Sequence, residues 1–253
     1  MKPTRRTFLA TGAALAIGSR PVAAQSSNAL AEETPEHVTR EYDKELLEKF
    51  QPYLVVRDLG SNTPNALYSY VARSPEYEHT VLVYWAEYPY QDGVSPFGGS
   101  LSDSHFGDRE PIYVVVDEQR QELIEVVYSG YHWMAAGTRA PTATTDSTGV
   151  HPTLHVVDPW HHYFQTPEEG VAVDLQHLSD DVLRGWLDNF WEDAIHLPSL
   201  TTPWVMTGRN GRSDWWKDDV GTFSFEATLR SIYLRIGWYG AEGIDTDELR
   251  FTD

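Results

Sequence analysis

Pro111-Ile112-Tyr113-Val114-Val115-Val116-Asp117 runs through a polar link into Glu122-Leu123-Ile124-Glu125-Val126-Val127-Tyr128-Ser129, and this pair of segments decides the fold class. Each is rich in β-branched and aromatic residues, which suit the pleated, half-buried surface of a strand. The link 117–122 is short and polar, as a hairpin requires, although no Asn-Gly or Asp-Gly dipeptide fixes its turn type. A lone hairpin is barely stable in water, so partners must exist. Similar runs occur at 52–57, 67–73, 79–88 and 153–157, punctuated by Asn-Thr-Pro, Gly-Gly-Ser and Ser-Thr-Gly turns. Many short strands with turn signals between them predict a mainly β chain, an antiparallel β-sandwich.

Helical spacing is confined to a few places. In 179–195, Ser179 can cap, Asp180 and Asp181 sit at the positive helix end, and Val182, Leu183, Trp186, Leu187, Phe190, Trp191 and Ile195 recur on one face. This predicts an amphipathic helix packed on a sheet, with its tryptophans in the core. A short charged helix is expected at 39–50, and a weaker one at 226–236 after a strand at 222–225. With no internal repeat, residues 39–253 read as one domain carrying one or two packed helices.

The amino terminus predicts export. Thr4-Arg5-Arg6-Thr7-Phe8-Leu9, the apolar run Ala10–Ile17 and Val22-Ala23-Ala24 form the three parts of a signal peptide over 1–24, and the paired arginines resemble the twin-arginine type. The apolar run is shorter than the roughly 20 residues that span a bilayer, so no transmembrane anchor is expected in the mature chain. Residues 25–38 read as a flexible tether. Cysteine is absent, which excludes disulfides and a lipidated cysteine. The formal charge is -19, and losing Lys2, Arg5, Arg6 and Arg20 with the signal takes it to -23, a surface that repels nucleic acid. Lysine occurs four times, the other cations being arginine, a balance that resembles exported proteins of salt-loving microbes.

Candidate chemistry gathers just before the first strand quoted, in Ser104-His105-Phe106-Gly107-Asp108-Arg109-Glu110. Alternation in an extended strand puts Asp108 and Glu110 on one face, and Gly107 permits a turn that swings His105 toward them. The segment Tyr84-Trp85-Ala86-Glu87-Tyr88 leads to Asp92, which a neighbouring strand would bring to the same end of the sheet. Carboxylates so close repel unless a proton or a cation lies among them. A divalent cation answers that; a buried His–carboxylate network capping the strand ends is the alternative.

The order of a Tyr-Trp strand, an Asp loop, His-x-Gly-Asp-x-Glu and a Val-rich strand resembles the necrosis- and ethylene-inducing-peptide-like proteins, whose heptapeptide is Gly-His-Arg-His-Asp-Trp-Glu. It resembles more closely the vacuolar-protein-sorting type with His-x-Gly-Asp-Trp-Glu. The resemblance covers about residues 79–164, including Tyr128–Trp133 and His151–Tyr163, with Arg109 in place of Trp and a longer loop between Asp92 and His105. It implies a β-sandwich that holds calcium or magnesium through Asp92, His105, Asp108 and Glu110, with Asp103 a rival to Asp92. An imidazole among the ligands also leaves manganese or zinc open.

Other chemistry finds less support. His132, His155, His161 and His162 could contribute to a zinc site, which needs three or four convergent ligands. The Trp204–Trp216 segment, with Arg209 and Arg212, reads either as a rim for sugars and anions or as a loop pinned by tryptophan packing. No Gly-x-Ser-x-Gly elbow, Walker loop, dinucleotide fingerprint or His-Glu-x-x-His pair occurs. The leading expectation is a secreted, non-enzymatic module binding a polar ligand, a glycan or lipid headgroup. A metal-dependent hydrolase using His132 as acid or base, and a purely structural ion, are the alternatives.

Overall fold

Valine, tyrosine and tryptophan repeat with a period of two through the middle of the chain, and each face they define is covered. The computed structural model describes residues 33–91, 105–131, 134–140, 143–186 and 197–207. In chain order the elements are β1 (Thr39–Glu41), α1 (Lys44–Lys49), β2 (Tyr53–Val55), β3 (Ala66–Arg73), β4 (Thr80–Gln91), β5 (His105–Asp117), β6 (Glu122–Tyr131) and β7 (Met134–Arg139). They continue with β8 (Thr153–Val156), β9 (Tyr163–Gln165), β10 (Leu175–His177), α2 (Asp180–Trp186), α3 (Pro198–Thr201) and a 3-10 turn at Pro203–Met206. Among the described residues, a large sheet runs β1-β3-β4-β5-β6-β7 with β10 also beside β3, and a small sheet runs β2-β8-β9.

The predicted hairpin is present: β5 and β6 pair antiparallel, Asp117 opposite Glu122, with a register shift between Val115 and Val116. Its turn uses other means than Asn-Gly. Gln121 takes a φ of 58°, and Asp117 Oδ1 accepts hydrogen bonds from the amides of Gln119 at 2.9 Å and Arg120 at 3.0 Å.

Period two splits the large sheet into two apolar faces. Val71, Leu82, Tyr84, Ala86, Tyr88, Ile112, Val114, Val126 and Tyr128 pack on Leu54, Leu154, Val156 and Tyr163 of the small sheet, on Leu46 and Leu47 of α1 and on Phe50 just after it. The opposite face, Tyr70, Val81, Val83, Trp85, Tyr113, Val115 and Val127, packs on Leu183 and Trp186 of α2 and on Leu200, Trp204 and Met206. The sandwich is therefore two sheets with helices on the outer face of the larger one. Trp186 and Trp204, both buried, belong to that core.

Some boundaries move. The helix expected at 39–50 is a strand followed by a shorter helix. Thr39–Glu41 pairs with Val71–Arg73, and Asp43 starts the helix where its carboxylate accepts the Leu46 amide at 3.1 Å. Two short pairings, β2 with β8 and β10 with β3, are parallel. Strands β7, β9 and β10 were not predicted. Within 179–195 the helix is described over Asp180–Trp186. Residues 187–196, the strand expected at 222–225 and the helix expected at 226–236 lie outside the described residues, as does the signal segment 1–24.

Candidate functional site

Antiparallel pairing of β4 with β5 sets Tyr88 opposite Asp108 and Ala86 opposite Glu110. Both acids thus continue the apolar row of Ile112, Val114 and Val116 and point between the sheets, as alternation predicts. Gly107 has a φ of 70°, inside the strand rather than in a turn. Arg109 faces the other way. It donates to Glu87 Oε1 at 2.8 Å and to the Gly107 carbonyl at 2.9 Å, and its guanidinium lies 4.7 Å from the centre of the Trp186 ring. The cation next in sequence to both acids is therefore spent on the helix side of the sheet.

Asp108 is buried, at 3% exposure, and its Oδ2 lies 2.7 Å from His161 Nδ1. His161 is fully buried and sits at φ 54°, a strained backbone for a residue with a side chain. Its ring stacks on Tyr88 at 3.9 Å and 3°. On the far side Asn62 Nδ2 is 2.9 Å from His161 Nε2 and 2.8 Å from the Tyr90 carbonyl. With the amide nitrogen of Asn62 donating to Nε2, the proton of a neutral imidazole lies on Nδ1 and is donated to Asp108. Asn62, His161 and Asp108 form one buried chain of hydrogen bonds.

Glu110 is less complete. Ser129 hydrogen-bonds its carboxylate, but Oε2 is buried with no hydrogen-bond partner. Burial, and then the charge of Asp108, push the Glu110 carboxyl well above the usual carboxylate range. Tyr163 donates to the Glu110 carbonyl at 3.5 Å, and the Tyr88 hydroxyl lies 3.1 Å from that of Tyr163. Burial raises both phenols well above their ordinary value, so they stay protonated. This strand face thus holds two carboxylates, no lysine or arginine paired with them among the described residues, and an orphaned oxygen. That donor set suits a hard divalent ion better than any ligand relying on hydrogen-bond acceptors.

Of the four residues predicted to hold metal, Asp108 and Glu110 share a strand face. Asp92, its rival Asp103 and the His105 side chain lie outside the described residues, although the His105 backbone pairs with Gln91 in β5. Among the described residues no three His, Asp or Glu side chains converge at metal-binding distance. The histidines of the zinc alternative form no three-ligand group among the described residues. His155 stacks on Phe164 at 4.6 Å with Asp58 at 3.5 Å, whereas His161 turns into the core, and His132 lies outside the described residues. His161 matters for a reason that spacing did not reveal: the turn at Val157–His162, closed by the His161 amide donating to the Val157 carbonyl at 2.8 Å, delivers it to Asp108. Asn62 carried no sequence signal at all.

Comparison with solved structures returns folds of one kind. A toxin fold for microbial attack and plant defence is 16% identical, with a TM-score of 0.48 over 68% of this chain and 92% of that one. Necrosis and ethylene inducing protein 2 from the causal agent of cocoa's witches' broom disease is 16% identical, with a TM-score of 0.41 over 82% of this chain and 96% of its own. NLPPya in complex with mannosamine is 17% identical, with a TM-score of 0.40 over 58% of this chain and 79% of its own. No protein-family model and no curated protein matches the chain. Among the described residues no helix is long and apolar enough to cross a membrane.

Proposed function

We propose that the protein is exported through its twin-arginine segment and binds a polar ligand, a glycan or a lipid headgroup, by way of a divalent cation. The cation would sit at the end of the inter-sheet core, held by Asp108 and Glu110 and completed by His105 and Asp92. One observation carries this reading: buried Asp108 and part-buried Glu110 lie on one strand face between the sheets, with Glu110 Oε2 buried and unpartnered and the Glu110 carboxyl raised. Such an arrangement costs stability unless positive charge enters. A bound divalent ion supplies that charge and, where coordination positions stay open, a contact for ligand hydroxyls or phosphate. In this account Asn62 and Tyr88 hold the His161 ring, His161 holds Asp108, and Tyr163 holds the strand at Glu110.

Glycan and lipid arrays probed with the mature protein in calcium, magnesium or manganese, and again in chelator, test the reading. Metal-dependent binding that disappears in Glu110→Gln supports it; binding indifferent to both refutes it. A second reading is favoured by the His161–Asp108 hydrogen bond, which already satisfies one acid. Here the cluster is a protein-only cap on the strand ends and Glu110 carries a proton. A melting temperature unmoved by metal and chelator, with no bound ion by elemental analysis, would select it.

A further inference from the structure

The opposite end of the large sheet holds a cleft that the carboxylate site does not explain. Thr80 and Tyr88 are eight positions apart in β4, so the two ends lie roughly 26 Å apart at about 3.3 Å per residue. The cleft encloses about 540 Å³ between the β3–β4 turn, the β5–β6 turn and His37 ahead of β1, a size in the range of small-ligand sites. All of it belongs to the described residues.

Its floor is closed. Arg73 donates to both oxygens of Glu118 at 2.6 and 3.0 Å, and Thr80 also donates to Glu118. Its wall is an aromatic platform. Tyr77 is 39% exposed, yet its ring lies flat on Trp204 at 4.4 Å and 7°. Trp204 is in turn fixed by its indole N–H, which donates to the His79 carbonyl at 2.7 Å. Trp204 covers one Tyr77 face and does not line the cleft, so the other face is the one offered. Around it stand polar groups: His37, whose Nδ1 lies 2.8 Å from the Ser74 hydroxyl and whose Nε2 lies 3.4 Å from Glu76 Oε2, and the ring of His79, whose buried Nδ1 has no hydrogen-bond partner.

Charge narrows the ligand. Arg73 and Arg120 oppose Glu78, Asp117 and Glu118, with Arg73 paired to Glu118 and Arg120 3.6 Å from Asp117. So nearly balanced a lining favours neither a phosphate nor a polyamine. A rigid aromatic face beside imidazole and hydroxyl groups matches a ring with an apolar C–H face and hydroxyl edges. We propose that this cleft binds a neutral saccharide ring, stacked on Tyr77 and hydrogen-bonded by His37, Ser74 and His79. The proposal stands apart from the cation reading and makes the molecule a two-ended binder.

The test is an NMR titration of the mature protein in chelator with the methyl glycosides of glucose, galactose and mannose, following imidazole resonances. A millimolar binding curve that shifts His37 and His79 but not His161 is expected for at least one glycoside. Tyr77→Ala should weaken it at least about tenfold while Tyr77→Phe stays within about twofold. Absence of any shift at His37 and His79 in the wild type overturns the proposal without recourse to a variant. So does binding that a folded Tyr77→Ala protein retains.

Discussion

Both ends of β5 carry a pair of acids, and they meet opposite fates. At the Asp117–Glu118 end, burial raises the Glu118 carboxyl, but hydrogen bonds from Arg73 and Thr80 outweigh it and hold the acid below its ordinary value. Arg73 also reaches Glu41 and, at 3.0 Å, Asp43. At the Asp108–Glu110 end the nearby arginine turns to the helix face, and burial and mutual repulsion raise Glu110 instead. One end is a finished ion-pair network; the other, among the described residues, has no lysine or arginine paired with its acids. Acids left in the second condition are the physical ground on which the binding site is proposed.

The sharpest way to break this contrast is His161→Ala. It removes a fully buried ring stacked on Tyr88 and strands Asp108 and Asn62, and should cost about 3 kcal/mol in chemical denaturation of chelated protein. Cation addition comes next. At a hundredfold excess over Kd, calcium or manganese should stabilise the wild type by about 2.7 kcal/mol and Glu110→Gln by none. A gain in both proteins would place the ion elsewhere.

At the finished end, Arg73→Ala should cost roughly 1–2 kcal/mol at pH 7, since the guanidinium is partly exposed and its carboxylate partners would be left together. That cost should fade in acid. A lowered Glu118 contributes stability above its unfolded value near 4.5 that is lost as pH falls through its folded value. Glu110 has the opposite sign. Its raised folded value means that chelated protein loses stability as pH climbs above about 4.5, and Glu110→Gln should abolish that decline. The smallest effect belongs to Arg57→Ala, whose pairing with Glu168 is largely solvent-exposed and should change stability by no more than about 0.5 kcal/mol.

How much the sequence disclosed follows the range of the interactions. The β5–β6 hairpin and the shared face of Asp108 and Glu110 depend on local alternation, so they could be read directly. The mixed helix and strand at 39–50 could not, because pairing of Thr39–Glu41 with Val71–Arg73 overrides a charged stretch with helical propensity. The parallel partner of β3, Leu175–His177, pairs with residues 108 positions earlier (Leu175 opposite Leu67) and leaves no periodic trace. The same holds at the site. Asp108 and Glu110 stood out, but Asn62 is an ordinary loop residue until His161 arrives from a turn 99 positions later. A positive φ at a histidine has no signature in composition or spacing.

Calorimetric titration of chelator-stripped protein with calcium and with manganese at pH 7 tests the central claim most directly. One saturable site per chain, lost in both Asp108→Asn and Glu110→Gln while Arg73→Ala retains it, is the predicted result. No saturable uptake, or a site that survives both carboxylate substitutions, would contradict it.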